Sequence, residues 1–246
     1  MNKLTNISLT GRAHRRTRTL NVLIACEESQ AECIAFRRLG HRAFSCDLQK
    51  ARYHDEWHIM GDATPYLMGT TTFKTADGKR HSLKQWDLII AHPPCTYLCK
   101  VGSPWLYHDP DRWATIRGKR VQVNAERWNL MKQAREFFML CLSANCHYLA
   151  VENPLPMACA QLPKPSTFIH PFWFGVKYTK KTLYWLKNLP PILPTIEHAS
   201  PRVYTSSSRG KYRSRTFPQV AEALAVQWSS YILDELNANV CSDEGK

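Results

Sequence analysis

Short apolar runs alternate with stretches of helical spacing along this chain, and their order predicts a sequence of elements. Residues 20–25, Leu-Asn-Val-Leu-Ile-Ala, read as a strand. Ala31, Ile34, Ala35 and Leu39 then recur at helical spacing as far as Gly40, which suits the left-handed position after a helix. A second strand is predicted over 42–46 with Asp47 at its end, and Gly61-Asp62 closes a third element. A β-α-β opening with an acid after its second strand predicts an α/β protein with a Rossmann-like sheet, where that acid can take ribose hydroxyls.

Farther along, Asp77-Gly78 reads as a hairpin turn after Thr71-Thr72-Phe73. Residues 88–91, Leu-Ile-Ile-Ala, form a wholly apolar strand. The loop that follows over 101–120 carries Gly102, Pro104, Pro110 and Gly118 and has the length of a lid. A helix over about 121–143 puts Trp128, Met131, Ala134, Phe138 and Cys141 on one face and leads to a strand over 148–151, which Asn153-Pro154 is expected to stop. Prolines 154, 156, 163, 165 and 171 predict an irregular connection over 154–172. A late strand over 183–186 precedes a turn-rich stretch over 187–215. A last helix over 218–236 then aligns Val220, Leu224, Trp228 and Tyr231. Residues 1–19 read as a basic arm and 237–246 as a frayed tail.

A length of 246 residues with 44% hydrophobic content suits a single sizeable domain over 20–236. No apolar stretch approaches the roughly 20 residues of a membrane span, and residues 1–20 lack the apolar middle of a signal peptide. The expectation is a soluble, cytoplasmic protein with no membrane partner. Thirty-three Lys and Arg against 20 Asp and Glu give a formal charge of +13. They cluster at Arg12, Arg15, Arg16 and Arg18, at Lys177, Lys180 and Lys181, and again between Arg202 and Arg215. Clustered cations gain affinity by displacing counterions from phosphates, so nucleic acid is the expected partner, with a solvated basic surface as the plainer alternative. Nine cysteines form no CxxC pair; Cys95 and Cys99 are four apart, as are His54 and His58, but nothing completes a zinc set.

Three strings place polar groups just after apolar strands: Glu27-Glu28-Ser29, His92-Pro93-Pro94-Cys95 and Glu152-Asn153-Pro154. Open α/β sheets bind ligands at such strand ends. A cysteine after Pro-Pro is held by a stiff turn, as a covalent nucleophile must be, and needs nearby positive charge or a helix terminus to become a thiolate. Glu152 is costly to bury unless it has partners, so it is either a structural hydrogen-bonding group or a ligand group. With Cys95 it makes a pair suited to an electron-poor ring, the sulfur adding while the acid engages a ring nitrogen.

These residues resemble the DNA cytosine C5-methyltransferases. Pro94-Cys95 resembles the nucleophile turn of that family, Glu152-Asn153 its Glu-Asn element, and Tyr178-Thr179-Lys180-Lys181-Thr182 its basic stretch before a late strand. The match in order and context runs over about 20–235. The nearest resemblance is to small phage and prophage members, through Ala-Cys-Glu-Glu-Ser at 25–29, His-Pro-Pro-Cys-Thr-Tyr-Leu at 92–98 and Arg-Thr-Phe-Pro at 215–218.

The resemblance implies an S-adenosylmethionine-dependent methyltransferase fold with a mixed, mostly parallel sheet, working in a bacterial or phage-infected cell. Cys95 would add to C6 of a cytosine flipped from duplex DNA, Glu152 would engage N3 and the exocyclic amine, and C5 would take the methyl group of S-adenosyl-L-methionine. Ala25, Cys26, Glu27, Ser29 and Pro93 would hold the methionine side of that cofactor, Asp47 the ribose and Asp62 the adenine. Trp105, Arg117, Lys119 and Arg120 of the 101–120 loop, with Lys180, Lys181, Arg213 and Arg215, would contact DNA. Two departures stand out: the turn at 26–30 has no glycine, and 187–215 is too short for an independent target-recognition domain. The second implies short or relaxed sequence recognition, or a substrate other than ordinary duplex DNA. An amino-methyltransferase, a nucleic-acid-binding module without turnover, such as a phage anti-restriction factor, and an enzyme of free pyrimidine nucleotides are the rival readings.

Overall fold

A computed structural model describes residues 18–107, 113–116, 118–196 and 215–243. The first strand, β1 (Asn21–Ala25), leads through α1 (Ala31–Arg38) to β2 (Arg42–Asp47) and β3 (His58–Met60). A short helix α2 (Thr64–Leu67) and a hairpin of β4 (Thr72–Lys74) and β5 (Arg80–Ser82) precede β6 (Leu88–Ala91). Next come a small ribbon of β7 (Trp113–Ile116) and β8 (Lys119–Gln122), the helix α3 (Ala125–Leu142) and β9 (Tyr148–Pro154). The chain continues with β10 (Thr167–Ile169), β11 (Thr182–Lys187) and α4 (Pro218–Asp243).

Seven strands form one sheet in the order β10-β11-β9-β6-β1-β2-β3. All pairs from β9 to β3 are parallel, and β11 runs antiparallel to both of its neighbours. The protein is therefore α/β with a mixed, mostly parallel sheet. The central strands are apolar on both faces because helices cover both. Leu23, Ile89, Leu149 and Val151 meet Met131, Phe138 and Cys141 of α3 on one side. Val22, Ile24, Ile90 and Ala150 meet Phe36 of α1 and Leu224 and Trp228 of α4 on the other. From β1 the chain proceeds to β2 on one side and later returns to β6 on the other. The crevice at the carboxyl ends of β1 and β6 is thus the topological switch point.

Several elements differ from their sequence-based expectations. The buried face of α1 is Glu32, Cys33, Ala35 and Phe36, and Leu39 is 45% exposed. The helix is turned because the Glu32 carboxylate finds polar partners inside, which outweighs the apolar stripe read from 31, 34, 35 and 39. Gly40 does follow α1 in the left-handed region, at φ 85°, with its N–H donating to the Arg37 carbonyl at 2.9 Å. Helix α3 begins only at Ala125, where the Asn124 side chain accepts from the Arg127 N–H at 2.9 Å, because 119–122 are already strand. The 101–120 segment is not plain loop: Lys100–Tyr107 is 3-10 helix and β7 pairs with β8. Residues 237–243 belong to α4 and do not fray as a tail. Among the described residues no helix is long and apolar enough to cross a membrane.

Gln30 pins the first turn of the fold. It sits before α1 at φ 58° and is fully buried. Its side-chain amide donates to Ser45 Oγ at 3.2 Å and the His54 carbonyl at 2.9 Å, and accepts from the Tyr53 and His54 N–H groups at 3.1 and 2.8 Å. That is all an amide can make. Replacing Gln30 with Leu leaves those backbone groups unpaired and is expected to cost about 2–4 kcal/mol in urea unfolding.

Candidate active site

At the sheet's carboxyl edge β6 stops and β9 goes on. The last β6–β9 pair is Ala91 with Val151, whereas β9 continues against β11 through Glu152–Tyr184, Asn153–Leu183 and Pro154–Thr182. Asn153-Pro154 therefore does not stop the strand. With β11 as the only remaining neighbour, one missing N–H is tolerated there. The overhang lies beside the Pro93-Pro94-Cys95 turn, and the buried Asn153 donates from Nδ2 to the Pro93 carbonyl at 2.9 Å. This bond fixes the Cys95 turn to the strand that carries Glu152.

His92, the residue before the Pro-Pro pair, joins two carboxylates. Its Nε2 is 3.0 Å from Glu32 Oε2 and its Nδ1 is 3.3 Å from Glu152 Oε2. The Glu32 side chain is fully buried, and those of His92 and Glu152 are each 13% exposed. Thr216 Oγ1 donates to the other Glu32 oxygen at 3.2 Å. Burial disfavours the imidazolium, but the Glu32 charge and the hydrogen bonds to Glu152 and Glu32 overcome it and hold His92 well above the usual histidine range. Burial likewise opposes ionisation of Glu152, yet the His92 hydrogen bond and the Lys180 charge keep it below the ordinary carboxylate value. Glu152 Oε1 is buried and has no hydrogen-bond partner among the described residues.

Cys95 opens a single turn whose carbonyl accepts from the Leu98 and Cys99 N–H groups at 3.0 and 2.9 Å. The Cys95 thiol donates to Cys99, which, with burial and the Glu152 charge, pushes Cys95 upward while Lys180 opposes. Cys99 is lowered to about 6 by the same Cys95 hydrogen bond, helped by the Gly102 and Val101 amides. The Cys95 proton thus has an acceptor one turn away.

The glycine-free turn after β1 achieves its bend at a cost. Cys26 adopts φ 62°, a conformation about 1–2 kcal/mol unfavourable for a residue with a Cβ, and the Cys26 and Glu27 N–H groups share the Cys46 carbonyl at 2.7 and 3.2 Å. Ala25 is wholly buried. Glu27 turns inward and accepts from the Glu32 and Cys33 N–H groups at 2.8 and 3.4 Å, with Ser29 Oγ donating to it at 3.5 Å. Burial first, then the Glu32 charge, pushes the Glu27 carboxyl up to about 8. The amides at the start of α1 are thus occupied by the chain's own acid.

At the ends of β2 and β3 the surface is different. Asp47, raised by burial, accepts from the Gln49 N–H at 2.8 Å, and Asp62 accepts from Thr64 N and Oγ1 at 2.9 and 2.8 Å. Leu48 and Met60 beside them are 78% and 62% exposed. Two exposed apolar side chains thus stand flanked by carboxylates in this half of the crevice. The α1 end has no free cradle for a carboxylate.

Trp105 and Trp113 are 59% and 51% exposed, and the Arg120 guanidinium lies 5.2 Å from the Trp113 ring, with Lys119 exposed alongside. Lys180 faces Cys95 and Glu152, while Lys181 sits over the Phe168 ring at 4.3 Å. Arg215, expected at a phosphate or paired with an acid, is paired with Glu28: its Nε and Nη2 donate to Glu28 Oε1 at 3.2 and 3.1 Å. Arg117 and Arg213 lie outside the described residues, as do most of the 187–215 stretch and the basic arm before residue 18. Sequence reasoning missed Glu32, the partners of His92, the Asn153 tether, Leu48 and Met60. Only the acid inside an otherwise apolar helix, Glu32, left a readable trace. Neither comparison with models of known protein families nor comparison with curated proteins finds a match for this chain.

Between the ordinary carboxylate value and about 8 the folded protein holds a proton on Glu27 that the unfolded chain has lost. Stability therefore falls as pH rises through that window. Glu27→Gln keeps the acceptor and removes the charge. It is expected to raise the melting temperature at pH 8.5 and leave it nearly unchanged at pH 5. Peptide mapping after brief iodoacetamide treatment at pH 7 is expected to find Cys99 labelled before Cys95.

Proposed function

We propose that this protein transfers the methyl group of S-adenosyl-L-methionine to C5 of cytosine in DNA, through a covalent adduct with Cys95. The observation that carries this reading is the unpartnered Glu152 Oε1 beside the tethered Cys95 turn. A buried carboxylate oxygen without a donor calls for a ligand that brings one, and the amine or protonated N3 of a pyrimidine does so. Cys95 gives up its proton to Cys99 and its sulfur bonds to C6. A proton shared between Glu152 and N3 takes up the electron density that this addition pushes onto N3. The methyl donor, when bound, supplies an electrophilic carbon to C5. Loss of the C5 proton to water and of the C6–S bond then restores the aromatic ring and frees Cys95, which takes back its proton from Cys99.

The crevice faces support the partners as well as the chemistry. Asp47, Leu48, Met60 and Asp62 suit the adenosine end of the donor. Exposed Trp105 and Trp113 with Lys119, Arg120 and Lys180 suit a strand whose base has been extruded, since rings can fill or stack where the base was and cations hold its phosphates. The net charge of +13 agrees with a polyanionic substrate. The short 187–215 stretch before the last helix fits modest sequence recognition, and a bacterial or phage-infected cytoplasm is the matching compartment. One observation favours a binding protein without turnover: Glu27 already caps the α1 amides that would otherwise receive the donor's carboxylate.

Incubation with S-adenosyl-L-methionine and duplex DNA carrying 5-fluorocytosine is expected to give a denaturation-resistant protein–DNA adduct. Cys95→Ser abolishes it, and Glu152→Gln slows it by about a hundredfold. DNA binding with no adduct would leave the binding-protein reading in its place.

A further inference from the structure

The methylation reading uses Cys95 and Glu152 but gives no work to the groups buried behind Glu152. Glu32 is an acid at zero exposure on a helix whose other buried residues are Cys33, Ala35 and Phe36. Structure alone needs no carboxylate there. An apolar side chain would pack against the sheet at lower cost, and removing both members of a buried ion pair is commonly neutral or stabilising. What the carboxylate does is hold the far nitrogen of His92, whose near nitrogen faces Glu152, while Thr216 fixes its second oxygen.

We propose that Glu32, His92 and Glu152 form a proton wire, in which His92 stores a proton and delivers it through Glu152 to the ring nitrogen of the bound pyrimidine. His92 and Glu32 are positioning residues that act through Glu152, and the proposal rests on the pyrimidine reading of the site. The step balances without any added reagent. The His92 Nδ1–H bond breaks as the Glu152 Oε2–H bond forms; the carboxyl, whose Oε1 has no partner among the described residues, then turns about its Cγ–Cδ bond and gives that same proton to N3 as Cys95 adds to C6. His92 is left as neutral imidazole with its Nε2–H on Glu32. When the C6–S bond breaks, N3 releases the proton and it returns by the same path.

The wire answers a difficulty within the site. Glu152 is held as a carboxylate by His92 and Lys180, so by itself it carries no proton to give. The proton it lacks is one hydrogen bond away. The groups that face this bridge are Glu32 on α1, Glu27 on the turn after β1, and Glu152 on β9; Lys180 and the buried Tyr184 phenol face Glu152 from the β11 side. Glu32 and Glu152 on its two nitrogens favour the charged form of the imidazole, and Glu32 is the one that reaches it at 3.0 Å.

Two measurements on the full chain test this. In nitrogen-15 spectra of histidine-labelled protein, one imidazole, assigned by its loss in His92→Gln, is expected to remain doubly protonated at pH 8. In Glu32→Gln, whose oxygen can still accept from the ring while its amide donates to the Thr216 hydroxyl, it is expected to lose its proton at least one pH unit lower. The rate of adduct formation on 5-fluorocytosine DNA should fall on the alkaline side, and Glu32→Gln should move that limb down by the same interval. A neutral His92 at pH 7 in the unmodified protein, or a Glu32→Gln profile superimposable on the original, overturns the wire. A purely structural Glu32 would lower the amount of folded protein without moving the limb. If the unmodified protein forms no adduct, the methylation reading fails and delivery to the ring fails with it. The imidazole spectra then decide separately whether the bridge holds its charge.

Discussion

The site depends on an offset between two strands. Because β9 runs three residues beyond the last residue of β6 it pairs with, a carboxylate and an amide stand at the sheet edge where the neighbouring strand has turned away. Asn153 uses the offset to hold the Pro93 carbonyl, and Glu152 uses it to reach His92. Had both strands ended level, the Cys95 turn would have met solvent instead of a second strand. Antiparallel β11 makes the overhang possible by giving the extra residues of β9 a partner.

Around that edge the electrostatics are opposite to those of the chain as a whole. A protein with an excess of 13 positive charges gathers Glu27, Glu28, Glu32 and Glu152 within one crevice. Each is met by a different device: helix amides and a retained proton for Glu27, a guanidinium for Glu28, a hydroxyl and an imidazole for Glu32, and the same imidazole for Glu152. A negative lining would repel phosphates but favours a base with amine hydrogens to donate. The other cationic side chains and the exposed tryptophans lie on the neighbouring surfaces, while Lys180 and Arg215 face the lining itself.

Much of the fold was legible because parallel strands covered on both faces read as unbroken apolar runs, and 22–25, 88–91 and 148–151 do. Gly40 and the Asp77-Gly78 turn were legible because positive φ there requires what glycine offers. The pairing of Cys95 with Glu152 could be inferred from strand ends alone. Other features could not. Glu32 and Phe36 point inward against the simplest helical stripe, since a polar partner 60 residues away in the chain decides the rotation of α1. Pro154 looked like a stop because the sequence does not reveal that β6 has ended. The partner of Arg215 could not be read either, because that acid, Glu28, lies 187 residues away.

That last separation bears on the order in which the molecule can assemble. Arg215 with Glu28, Thr216 with Glu32, and Arg38 with Glu222 all join the entry of the final helix to the first helical turn region of the chain. Loops of this length close late, after local structure has formed. During synthesis the β1–α1–β2 unit emerges early with two buried-type acids and one apolar helix face still uncovered. It must wait for almost the entire remaining polypeptide before Thr216 and Trp228 arrive. The crevice is therefore the last part of the protein to exist, and a ribosome that stops short of α4 releases a sheet without a finished site.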